Sequence, residues 1–212
     1  MAILSFPAGI RNPTSVQFGL AANTQSGGRS PFDGTEQTLA LPGDRWVAEI
    51  RWARLPEAEW RIMQAFLANL RGRAGRFTWG PGAFMPRKGT RPGDGGLGPR
   101  IAAVSTGRVI RTKGWSTTPG SGFTFRRGDL FGYLDPAGRP MLHMATEDNG
   151  PAGDGTANFT ISPSIRRSPA IDTPLILENP TAVWRLREDA VPLEYERGVF
   201  ASLVLSIEEA IY

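Results

Sequence analysis

The stretch Arg45–Gly72, RWVAEIRWARLPEAEWRIMQAFLANLRG, decides the fold. In its first part Trp46, Ala48, Ile50 and Trp52 point one way, while Val47, Glu49 and Arg51 point the other. That period of two is the signature of a half-buried strand. From Pro56 the spacing changes. Trp60, Met63, Phe66, Leu67 and Leu70 recur at helical intervals and form one apolar stripe. Pro56 suits the first turn of a helix, and Glu57 and Glu59 favour its positive end. Arg71 suits the last turn, and Gly72 serves as the expected C-cap. A long strand followed by a single amphipathic helix therefore predicts a sheet with one helix laid on its apolar face.

Outward from this unit the chain reads as strands and turns. Upstream, TEQTLALPG (from Thr35) is an expected strand, with Gly43-Asp44 as a turn signal before Arg45. Downstream, residues 80–100 (GPGAFMPRKGTRPGDGGLGPR) combine glycine, proline and charge, and read as an extended exposed linker. Strands are expected around Arg108–Trp115, Asp129–Tyr133, Pro140–Glu147 and Thr156–Ser162, forming a small β-barrel-like module over 101–169. Two longer strands close the chain, in TAVWRLRED and GVFASLVLSIEEAIY. In the last of these Ala201, Leu203, Leu205 and Ile207 alternate with Phe200, Ser202, Val204 and Ser206. Such a strand needs partners, and the N-terminal strands are the available ones. The expectation is thus a mainly β protein: a discontinuous β domain (1–80 with 170–212) containing one helix, a linker (81–100) and an inserted β module (101–169).

Composition agrees. With 26 glycines and 18 prolines among 212 residues, turns are frequent enough for many short strands. There is no cysteine, so disulfides, thiolate metal sites and a cysteine nucleophile are excluded. No apolar run approaches the roughly 18 residues of a membrane span. The N-terminus lacks the pattern of a signal peptide. A soluble, unexported protein without a membrane anchor, made in the cytoplasm, is the expectation. Charge is unevenly placed: residues 1–80 carry 9 basic and 6 acidic side chains, residues 81–170 carry 12 and 6, and residues 171–212 carry 3 and 8. A basic middle and an acidic end supply complementary faces for subunit contacts. No helix or loop concentrates the basic residues, so specific nucleic-acid binding is not expected.

Catalytic apparatus is thin. The single histidine, His143, lies between Leu142 and Met144 in an expected strand and reads as a packed or surface-satisfied side chain, not a catalytic base. There is no G-x-S-x-G elbow and no phosphate-binding G-x-x-x-x-G-K-[ST] loop. GDGGLG (Gly93–Gly98) opens no helix. RGRAGR (Arg71–Arg76) falls where the helix ends, so a capping and turn role suits it best. Asp129, Glu147, Asp148 and Asp154 are the carboxylates from which a glycosidase pair would have to be drawn. Glu208 and Glu209 read as solvated strand ends or subunit-contact charges, as do Glu188 and Asp189. The acidic loop Asp148–Gly155 fails the EF-hand register, with Gly150 at the third position, Ala152 at the fifth and Phe159 at the twelfth. As a turn it uses Asn149-Gly150 and Asp154-Gly155 as positive-φ positions. Trp115, Phe123, Phe125, Phe131 and Tyr133 would be the rings of a sugar-binding module, or its core. No catalytic, cofactor or metal residue is expected.

Three segments together resemble a known family. They are LPEAEWRIMQAFLANLRGRAGRFTWGPG, FRRGDLFGYLDPAGRPMLHMATEDNGPAGDGTANFTISPSIRRSP and TAVWRLREDAVPLEYERGVFASLVLSIEEAIY. Leu70, Gly72, Gly75 and Phe77 after the helix, Gly128-Asp129, the run from Asp154-Gly155-Thr156 through Ile161-Ser162-Pro163 to Arg166, and Val204 to Glu208 carry the likeness. The chain resembles distal tail proteins of long-tailed bacteriophages and related prophages. The resemblance implies a structural virion protein without enzymatic activity, whose β domain is β-sandwich-like and assembles into a ring, hexameric in that family. Such a ring joins the tail tube protein to the hub and baseplate proteins of the tail tip, with the inserted module on the outside. A carbohydrate- or receptor-binding tail component and a glycan hydrolase are the alternative expectations.

Overall fold

The structure, a computed structural model, describes residues 2–90, 93–118, 122–197 and 199–211. Among these the chain forms, in order, β1 (Ile3–Ser5), β2 (Ser15–Ala21), β3 (Thr24–Arg29), β4 (Glu36–Ala40), β5 (Arg45–Pro56) and α1 (Glu57–Leu70). There follow β6 (Arg76–Trp79), β7 (Arg100–Ile101), β8 (Gly107–Lys113), β9 (Leu130–Leu134), β10 (Pro140–Ala145) and β11 (Ala157–Ile165). The last strands are β12 (Ala182–Leu186), β13 (Leu193–Glu196) and β14 (Phe200–Glu209). The protein is mainly β with a single α-helix.

The strands form two sheets and a separate ribbon. A seven-stranded sheet runs β1-β6-β12-β14-β5-β2, with β13 added beside the start of β14. A five-stranded sheet runs β7-β8-β11-β10-β9, and β3 pairs only with β4. The long central strands of the first sheet keep the expected alternation: Trp46, Ala48, Ile50 and Trp52 of β5 face the same core as Leu203, Leu205 and Ile207 of β14. Helix α1 covers that face with Met63, Phe66 and Leu70 buried and Trp60 and Leu67 half-buried. Its left-handed cap falls on Arg71 (φ 53°), one residue before the glycine expected there. Gly75 then lets the chain turn under the helix into β6, because a Cβ there would lie 2.7 Å from the Leu70 Cα.

The aromatic payload of the first core is large. Phe18 stacks on Trp46 at 4.6 Å, and Phe66 meets Phe77 edge-on at 5.4 Å. The second sheet closes the layer from the other side, with Leu130 of β9 and Leu142 of β10 belonging to the same core cluster. Its own core gathers Trp115, Phe125, Phe131, Tyr133, Phe159 and Ile161.

Several segments depart from the sequence expectation. The strand in TEQTLALPG pairs with β3, a partner the sequence did not announce, and β2 lies beside β5. Residues 80–90 are not an exposed linker: Pro81 and Gly89 are buried, and Asp129 accepts hydrogen bonds from the Lys88 N–H at 2.6 Å and the Gly89 N–H at 2.7 Å. Arg91 and Pro92, also in that stretch, lie outside the described residues, as do Gly198 and Tyr212 of the final segment. On the return path Pro174 and Ile176 still bridge to Arg100 and Gly132 of the second sheet before the chain re-enters the first at β12. Trp79 and Ala182, the last residue of β6 and the first of β12, sit opposite each other.

Candidate assembly surface

The β3–β4 ribbon prolongs the β2–β5 hairpin beyond the edge of the sheet. Ala21 pairs with Arg45 at the sheet border, and Thr24 pairs with Ala40 just past it. Between them Asn23 clasps the junction: its Nδ2 donates to the Pro42 carbonyl at 2.7 Å, its backbone N–H to Asp44 Oδ1 at 3.2 Å, and its carbonyl accepts from the Leu41 N–H at 2.7 Å. A one-residue bulge at Gly27-Gly28 (Gly28 φ +85°) twists the ribbon further. At roughly 3.3 Å per residue the six-residue strand carries the tip about 20 Å away from the sheet.

Every residue of β3 and β4 is exposed, and at the tip Phe32 is 98% exposed. The tip is nonetheless well formed. Its Ser30 N–H donates to the Thr35 carbonyl at 2.8 Å, and Asp33 Oδ1 accepts from the Thr35 hydroxyl at 2.8 Å. The Ser30 and Thr35 hydroxyls hold the Asp33 carboxyl down at about 2, so it stays charged. An isolated two-stranded ribbon is marginal in water without a surface to pack on. Sequence reading placed the strand at Thr35 but missed its partner, because TQSGGR has no apolar alternation. The available signal was the phenylalanine set inside the turn residues SPFDG.

The outward face of the first sheet is also uncovered. Ser15 on β2, Arg51 and Ala53 on β5, and Ser202, Val204 and Ser206 on β14 floor an open groove of about 600 Å³. Its walls carry Glu188, Pro192 and Glu194. A bulge makes it. Between the pairs Ala201–Leu55 and Leu203–Trp52 one residue of β14, Ser202, opposes two of β5, Ala53 and Arg54, the latter at φ 53°.

The residues singled out for chemistry are occupied structurally. His143 is fully buried between Tyr133 (5.3 Å, nearly parallel) and Phe131 (6.0 Å), with Nδ1 2.9 Å from the Pro163 carbonyl. Asp129 also accepts the Arg126 N–H at 2.8 Å, so its buried carboxylate is spent on three backbone amides. Glu147 accepts the Thr160 N–H, Asp148 the Arg127 N–H, and Asp154 the Thr156 N–H and hydroxyl. Those bonds hold Asp148 and Asp154 below the usual carboxylate range, the amide of Arg127 acting first on one and the hydroxyl of Thr156 on the other. The Asp148–Gly155 segment joins β10 to β11, and within it only Gly155 (φ +77°) takes the positive region, not Asn149 or Gly150. Of the supposed sugar-binding rings Trp115, Phe125, Phe131 and Tyr133 are core, and only Phe123 reaches the surface, under the Arg126 guanidinium. Among the described residues no group of three or more histidine, aspartate or glutamate side chains is placed to hold a metal ion.

Glu209 is a correction. Far from being a solvated strand end, it continues the inward series of β14 and is buried, paired with Arg166. Burial pushes its carboxyl up while Arg166 and the Trp46 N–H oppose the shift. Arg166 also donates to the Asp44 carbonyl at 2.6 Å, and the Trp46 indole N–H donates to the Leu142 carbonyl at 2.9 Å. These bonds staple the second sheet to the first.

Burial lowers His143 to about 4 from an ordinary 6.5. The unfolded chain therefore takes up that proton first as pH falls. Its contribution to stability is complete above pH 6.5 and is lost between 6.5 and 4, up to about 3 kcal/mol. Urea titrations of wild type and His143→Phe across that window should show a flatter profile for the variant. Parallel profiles would refute the assignment. Glu209, raised by burial, acts with the opposite sign in both proteins and cancels in the comparison.

No protein-family model matches this chain, and no curated protein is similar to it in sequence. No helix among the described residues is long and apolar enough to cross a membrane.

Proposed function

We propose that this is a self-assembling structural protein whose copies bind one another through the β3–β4 ribbon. The observation that carries the reading is Phe32, an almost fully exposed aromatic on a formed tip, at the end of a ribbon whose strand residues are all exposed. An aromatic ring carries a large apolar area that a partner surface can bury, and such rings dominate the energetics of interfaces. A protrusion meeting a different surface on the next copy is a heterologous contact, the kind that closes rings. Carboxylates bound to backbone amides and buried rings favour this reading over a hydrolase or a sugar-binding module.

More specifically, we infer a ring at the tail tip of a long-tailed phage or prophage, joining the tail tube to the hub. The sequence resemblance to distal tail proteins supports this, and it makes six copies the expected number and the virion the expected location. Light scattering on the size-fractionated protein should give one discrete oligomer. Phe32→Ser should weaken association roughly tenfold to a hundredfold, the equivalent of about 1.5–3 kcal/mol for an aromatic left unburied. A strictly monomeric protein, absent from purified virions, would overturn the proposal.

A further inference from the structure

We infer that the groove at the β13 end of the first sheet receives the ribbon of a second copy, with Phe32 seated over Val204 and Pro192. This rests on the ring reading and names the surface that the ribbon meets. Donor and acceptor lie at opposite ends of one strand pair. The ribbon leaves where Ala21 pairs with Arg45, whereas the groove opens where Ser15 pairs with Arg51. The six-residue interval between these pairs is about 20 Å, and the ribbon points away from it. A chain therefore cannot fill its own groove, but an identical chain placed head to tail can.

The groove suits that occupant. Ala53, Pro192 and Val204 are exposed apolar side chains on its surface, Val204 at 46%. The short side chains of Ser15, Ser202 and Ser206 leave the floor low enough for a strand to lie on. Charge is complementary as well. Arg29 on the ribbon would bring a cation to a groove walled by Glu188 and Glu194, whereas Arg51 on its floor is already paired with Glu49. An apolar anchor ringed by paired charges is the usual anatomy of a specific contact.

The chain has no cysteine, so paired cysteines report the contact without background. The double variant Pro31→Cys/Ala53→Cys, which leaves Phe32 and Val204 in place, should give a ladder of cross-linked species on denaturing gels after oxidation with copper phenanthroline. Pro31→Cys/Asn158→Cys, whose second thiol lies on the exposed face of β11, should give none. A ladder from the first pair alone supports the groove. Light-scattering oligomers with no ladder, or equal ladders from both pairs, overturn the groove and leave the ring standing. Monomers under all conditions overturn both. Val204→Arg provides an independent readout, since an exposed position tolerates the change. It should weaken association at least tenfold with an unchanged circular dichroism spectrum, and wild-type assembly would count against the groove.

Discussion

Replacing Glu209 with alanine is expected to cost about 3–5 kcal/mol in urea denaturation, the usual result of stranding one member of a buried ion pair. The Arg166 side chain is only 14% exposed and would keep the Asp44 carbonyl as its acceptor. The Trp46 N–H would lose its acceptor too, at the border where the ribbon begins. Removing both charges should be far milder. Arg166→Met/Glu209→Leu keeps the volume and leaves no unpaired ion, so most of the lost stability should return. A loss below about 1 kcal/mol for Glu209→Ala would place the pair among the solvated bridges that contribute little.

The second large effect is expected at Trp184. Its side chain is fully buried on β12, its indole N–H donates to the Trp79 carbonyl at 2.7 Å, and its ring meets Trp79 edge-on at 5.5 Å. Trp184→Ala removes the ring, leaves a cavity and orphans that carbonyl, and should cost about 3–5 kcal/mol. For a chain of this size that is a fall in melting temperature of roughly 6–20 °C. Trp184→Phe retains most of the packing and loses the hydrogen bond, so a loss of about 1–2 kcal/mol is expected. Equal losses for the two variants would mean that the hydrogen bond, and not the cavity, dominates.

How much of this was legible in the sequence follows from what each residue pattern encodes. The β5–α1 unit and β14 were readable because both repeat an apolar side chain at the period of their own backbone. Glu209 was misread because a carboxylate at an inward position looks like the end of a strand until Arg166, 43 residues away, is known to reach it. Residues 80–90 look like a linker for a similar reason: glycine and proline advertise turns, but not that Asp129 will grip two of their amides. The assembly surface was the least visible part. A ribbon such as TQSGGR that packs on nothing within its own chain has no apolar alternation to betray it. The groove is produced by a register shift between two strands far apart in sequence. Of the candidate site, only the phenylalanine within SPFDG stood in plain view.

The opposition of Trp79 and Ala182 across neighbouring strands has a consequence for how such a chain can vary. Everything between them leaves and returns through one gap the width of an ordinary hairpin turn. Sheet pairing alone would thus accept an excursion of any length there, from a few residues to the whole second sheet. What limits that freedom is the lining. The Trp46 indole needs the Leu142 carbonyl, and Leu130 and Leu142 are part of the core around it. A shortened relative would be recognisable by what it does at position 46: it would have to trade the tryptophan for a side chain content to face water.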